Sequence, residues 1–96
     1  MNVKASYINL KYFFDCYYNQ SYDDSLDVRF KDFIELENDS LIQKLKGEIL
    51  QLEQVYIQKD LETWKRIEEL VHDDSLRYLP YSFGEEFIRT AKKILN

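Results

Sequence analysis

The sequence predicts an all-α, single-domain protein, residues 1–96, built as a bundle of about five helices. Three observations predict it. Gly occurs only at positions 47 and 84 and Pro only at position 80, which leaves little turn chemistry for β-hairpins. Apolar residues recur three and four positions apart along most of the chain. Eight Tyr, six Phe and one Trp supply more bulk than a disordered acidic chain carries, at a length that buries roughly 60 to 70% of its unfolded surface.

Val3, Tyr7, Leu10, Phe14 and Tyr17 step along one face and predict a first helix over residues 5 to 18. Tyr12, Phe13, Phe14, Tyr17 and Tyr18 are also good strand formers, so a short strand there stays open. Leu26, Phe30, Phe33 and Ile34 mark a second helix. Leu41, Leu45, Ile49, Leu52 and Tyr56 mark a longer third one, in which Gly47 costs about 1 kcal/mol relative to Ala. Leu61, Trp64, Ile67 and Val71 mark the fourth, ended by His72, and Phe83, Phe87, Ala91 and Leu95 mark the last.

Ser82 and Glu85 fit a capping box for that last helix. The pattern Asp/Asn-Asp-Ser-Leu occurs at residues 23–26, 38–41 and 73–76. Asp and Ser favour helix starts, and negative charge is stabilising there, so the echo reads as N-capping chemistry and not as a repeat. The copy at 73–76 is expected to be a brief helical turn or loop. The stretch Arg77-Tyr78-Leu79-Pro80-Tyr81 is expected to pack its loop onto the core.

Cys16 is the only cysteine, so no disulfide forms within the chain, and no apolar leader opens the sequence. No stretch longer than seven residues lacks a charged side chain, whereas a membrane-spanning helix needs about 20 mostly apolar residues. A cytoplasmic protein that does not enter the membrane is expected.

The net charge of −5 is unevenly distributed. Residues 15–39 set eight carboxylates against Arg29 and Lys31, and residues 60–74 set six against Lys65 and Arg66. Such a chain repels phosphates, which argues against direct nucleic-acid binding and for a basic protein partner. Conventional catalysis is poorly supplied. The one nucleophile–base pair would be Cys16 with His72, but Cys16 among aromatics is expected to be a small buried hydrophobe. His72-Asp73 lacks the further histidines of a metal site, and adjacent carboxylates on a helix diverge by about 100°. No enzyme activity, metal or cofactor is expected.

Binding remains, and interface energy concentrates in aromatics set among charges. The candidate partner-binding residues are Asp15, Tyr18, Tyr22, Asp23, Asp24, Asp27 and Glu35 in the first acidic segment and Glu68, Glu69 and Asp73 in the second. Tyr17 and Tyr22 have an alternative role as plugs of the bundle, whereas Tyr18 is expected at the surface.

The run Tyr12-Phe13-Phe14-Asp15-Cys16-Tyr17-Tyr18-Asn19-Gln20 resembles the aromatic opening of contact-dependent growth inhibition (CDI) immunity proteins. The order of segments is similar too: an acidic second helix, a long third containing Glu48-Ile49-Leu50-Gln51-Leu52, a short fourth, a Tyr-containing loop and a final helix headed by Ser82-Phe83. The chain departs from that pattern at Asp15-Cys16, where the family favours glycine, at Asn19, often His, and at Phe87, where Trp is common. The resemblance implies a cytoplasmic immunity protein, monomeric when free, that binds and blocks the C-terminal domain of a cognate CDI toxin. Such toxins are frequently nucleases, whose cationic sites would suit an acidic partner. A small helical adaptor or regulatory subunit of an endogenous complex is the alternative from the same acidic surface.

Overall fold

Scarce glycine and proline leave the backbone few places to break, and the chain is helical almost wherever it is described. A computed structural model describes residues 3–18, 26–73 and 78–95. Over these it builds α1 (Val3–Ser6), α2 (Ile8–Cys16), α3 (Leu26–Leu36), α4 (Asp39–Ile57), α5 (Leu61–His72), a 3₁₀ turn (Tyr81–Phe83) and α6 (Gly84–Leu95). No strand occurs among the described residues, and the aromatic run resolves as helix through Cys16, with Tyr17 and Tyr18 in the turn that follows.

The apolar stripes are largely buried as their spacing predicts, except Ile34 near the end of α3 and Leu61 at the start of α5, which are exposed. Leu10, Phe14, Phe30, Phe33, Leu45, Ile49, Leu52, Trp64, Ile67, Val71, Phe87, Ala91 and Leu95 are all buried in one core. α6 packs against both α3 and α4, and α2 bridges α4 and α5. One wall of this core is aromatic: Phe13 stacks on Phe30 at 4.3 Å between centroids, and Phe87 reaches both Phe14 and Phe30 within 5.6 Å. Each such pair adds about 0.5–1.5 kcal/mol to the area it buries.

The opposite wall is a knot of Tyr56, Trp64 and Tyr81. Trp64 Nε1 donates to the Leu79 carbonyl at 2.9 Å, and Tyr81 Oη donates to the Tyr56 carbonyl at 2.8 Å. The loop before α6 is thereby fastened to the core, as its Leu-Pro-Tyr sequence predicts. A side chain at Gly84 would place its Cβ 2.8 Å from both Trp64 and Tyr56, which is why glycine stands there.

Four expectations change. The first helix starts at Val3 and ends at Cys16, and it is broken at Tyr7, whose φ of −127° leaves the helical region. The Asn9 and Leu10 amides turn to the Glu48 carboxylate of α4, which accepts from Asn9 N at 3.3 Å, Asn9 Nδ2 at 2.6 Å and Leu10 N at 2.8 Å. Ser82 is the middle residue of the 3₁₀ turn and not a helix cap, so α6 begins without the capping box. Cys16 is exposed, because α2 turns its last residue away from the core. Tyr18 is buried, 7% exposed, whereas Tyr17 is only half-buried. The cause is local: both Tyr17 N and Tyr18 N donate to the Phe13 carbonyl, and the wider i→i−5 turn swings Tyr18 inward against Phe13 and Phe14.

Two other caps are local in sequence, Asn38 within the expected capping pattern and Asp60 outside it. Asn38 accepts from Leu41 N at 2.8 Å and Asp60 from Thr63 N at 3.2 Å, which starts α4 and α5. Asp73 closes α5, and the rest of the 73–76 echo lies outside the described residues.

Candidate partner-binding surface

Carboxylates on helices carry surface charge only where no local cation answers them. Asp15 pairs with Lys11 at 3.3 Å, Asp32 with Arg29 at 3.0 Å, and Asp27 lies 3.8 Å from Lys31. All three are pairs one helical turn apart, and such exposed pairs contribute only a few tenths of a kcal/mol while damping the local field. In the second segment Glu62 pairs with Arg66 at 3.0 Å and Asp60 is spent on its cap. The Asp73 carbonyl accepts from Lys11 Nζ at 2.9 Å, which joins the end of α5 to α2.

Glu35, Asp39 and Glu69 are exposed and carry no ion pair among the described residues. Glu35 and Asp39 flank the α3–α4 turn. Between them sits Leu36, 72% exposed, with Ile34 also exposed. This turn therefore presents an apolar tip between two carboxylates, an apolar group set among charges as interface anchors are.

The turn is tied to α2 by Glu37, which sequence reasoning did not single out. Its Oε2 accepts from Tyr12 Oη at 2.8 Å and Tyr17 Oη at 2.5 Å, tying the end of α3 to α2. The two phenols hold the Glu37 carboxyl below its ordinary range, first through Tyr17. In return the Tyr17 hydroxyl is pushed up by its burial and by its bond to Glu37, and Tyr12 chiefly by its bond to the same carboxylate. One tyrosine in the middle of a helix and another just past its end, answered by a carboxylate at the end of the next helix, were the only available signal. That signal is too weak to read without the fold.

Of the predicted residues, Glu35 stands at this tip. Asp27 lies on the same helix about two turns away, and Asp15, Glu68, Glu69 and Asp73 lie on the described surface of other elements. Tyr22, Asp23 and Asp24 lie outside the described residues, and Tyr18 belongs to the core. The exposed Cys16 thiol lies beside the Tyr12 and Tyr17 side chains, and the His72 ring stacks on Tyr78 at 4.0 Å. Among the described residues no group of three His, Cys, Asp or Glu side chains could hold a metal ion, and no helix is long and apolar enough to cross a membrane.

No protein-family model, curated protein or solved structure matches the chain.

Proposed function

We propose that this chain is an immunity protein that binds a basic toxin domain of the contact-dependent growth inhibition type in the cytoplasm and neutralises it. The observation that supports this reading is the α3–α4 turn, where exposed Leu36 stands between Glu35 and Asp39 and neither carboxylate has an ion pair among the described residues. An unanswered acid pair around an apolar anchor suits a partner whose surface gathers Lys and Arg, as a nuclease cleft does, and accelerates the encounter. Rigidity supports the reading further, because Glu37 locks this turn to α2 before any partner arrives, and preorganised surfaces lose less entropy on binding. The product of the adjacent upstream reading frame is the partner to test.

Co-expression with that product should yield a stoichiometric complex that weakens as salt is raised. Reversing Glu35→Lys and Asp39→Lys together is expected to lower the association rate by roughly tenfold at low salt while the circular dichroism stays helical. An unchanged association rate removes the α3–α4 turn from the interface, and failure of any basic neighbour to bind the wild-type chain defeats the immunity reading itself.

A further inference from the structure

A phenol carries one proton to donate and an ionised carboxylate carries none, so the bonds at Glu37 account for every strong donor in its cluster. Tyr12 Oη and Tyr17 Oη both donate to Oε2, at 2.8 and 2.5 Å. That oxygen is filled, whereas Glu37 Oε1 accepts from no described residue and is open to solvent. With their protons spent, the two hydroxyls can only accept from any further group, and the Cys16 thiol beside them is a weak donor at most. The cluster therefore offers acceptors around a fixed negative charge.

No cation cancels that charge. Glu37 has no ion pair among the described residues, and Lys11, next to Tyr12 in sequence, turns to Asp15 and the Asp73 carbonyl instead. A lysine or arginine in place of the phenols would tie α3 to α2 and neutralise the carboxylate. Neutral phenols make the tie and leave the charge. Leu36, 72% exposed, is the adjoining residue, so an apolar anchor and a positioned anion stand side by side, with the Tyr12 ring, 38% exposed, next to them.

We propose that Glu37 is the centre of the partner-binding surface and seats one arginine of the basic partner, whose guanidinium donates to Glu37 Oε1 and lies against the Tyr12 ring. This rests on the immunity reading and names the group that the partner must bring. A site with acceptors only and a negative charge rejects phosphate and carboxylate, and it takes a cation with donors. Guanidinium suits it better than ammonium, because its planar fork can meet Oε1 and a phenol oxygen together, stacks on aromatic rings and is more weakly hydrated. The roles then divide. Glu35 and Asp39, exposed at the rim, speed the encounter, while Glu37, already held in place, loses little freedom on binding and sets how long the complex lasts.

Binding kinetics with the product of the adjacent upstream reading frame test the proposal. Glu37→Gln keeps an amide oxygen for both phenols and removes only the charge. It should speed dissociation by roughly tenfold or more and leave the association rate within about twofold, the reverse of the Glu35→Lys/Asp39→Lys pattern. A purely structural role for Glu37 predicts instead that Tyr12→Phe/Tyr17→Phe, which removes the tie and spares the charge, is the more damaging change. Two further readings do not depend on how a variant folds. Cys16 should be protected from iodoacetamide in the wild-type complex, and one arginine of the partner, changed to lysine, should speed dissociation of the wild-type complex and abolish the effect of Glu37→Gln. Dissociation indifferent to Glu37→Gln, a Cys16 alkylated as fast in the complex as in the free chain, or the absence of any such arginine would each overturn the proposal and leave the immunity reading standing. A wild-type chain that binds no basic neighbour defeats both.

Discussion

α2 and α5 are of similar length and both begin under a carboxylate, but the carboxylates come from different places. Asp60 stands immediately before α5 and takes the Thr63 amide and hydroxyl, so sequence neighbours settle where that helix starts. Tyr7 stands before α2 and offers no side-chain bond; the acceptor is Glu48, 38 positions from Leu10 and buried at 7% exposure. One cap is a local event that forms with the helix. The other exists only once α2 and α4 have docked, so it couples the start of a helix to the tertiary fold.

The sharpest way to break this contrast is to remove the distant cap. Glu48→Ala leaves three donors on Asn9 and Leu10 without their acceptor, partly or fully buried, and should cost about 2–4 kcal/mol in urea denaturation. The pH dependence should run in opposite directions for the two caps. Burial, only partly offset by the bonds from Asn9 and Leu10, raises the Glu48 carboxyl above its ordinary 4.5. Its contribution is therefore complete below pH 4.5 and is lost as pH rises through the folded value. Asp60 is lowered from 3.8 by its bonds from Thr63, so its contribution is present above pH 3.8 and lost as pH falls through the folded value. Stability measured against Glu48→Gln should thus narrow on raising the pH past 4.5, and against Asp60→Asn on lowering it past 3.8. Parallel slopes would show that the two caps are alike.

Asp60→Ala is the smaller break. It removes an exposed cap and should cost less than Glu48→Ala, with α5 fraying at its first turn while α2 and α4 keep their hydrogen-exchange protection. Glu48→Ala, in contrast, should expose α2 and α4 together.

The same division explains what could be read in advance. Apolar spacing located the buried faces of α3, α4, α5 and α6, because a 3.6-residue period needs nothing beyond its own segment. Asn38 lay in a pattern legible as N-capping for the same reason, whereas Asp60, an equally local cap, was read only as part of the acidic segment. The break at Tyr7 was not, since its cause lies in α4. Nor was the exchange of Tyr17 and Tyr18 between surface and core, which depends on a single widened turn over the Phe13 carbonyl. For the candidate surface, composition located the acidic segment but not its geometry. Local cations answer Asp15, Asp27 and Asp32, and only the fold shows that Glu35, Leu36 and Asp39 are left facing outward.

The turn between α4 and α5 offers the finest test of local against distant control. Lys59 has a φ of 57°, in the left-handed region, and closes α4 in a Schellman arrangement: its N–H reaches the Tyr56 carbonyl at 3.1 Å, and the Asp60 N–H reaches Val55 at 3.2 Å. Glycine is the usual residue at this position because a Cβ is strained there. Lys59→Gly should relieve that strain, lose part of the gain to the freer unfolded chain, and net about 0.5 kcal/mol of stability, read as a shift of a few degrees in melting temperature. Because Asp60 follows directly, the gain should vanish if the Lys59 conformation is imposed by the Asp60 cap and not by the end of α4. In the double variant Lys59→Gly/Asp60→Ala the two effects would then fail to add, whereas independent ends require that they add to within a few tenths of a kcal/mol.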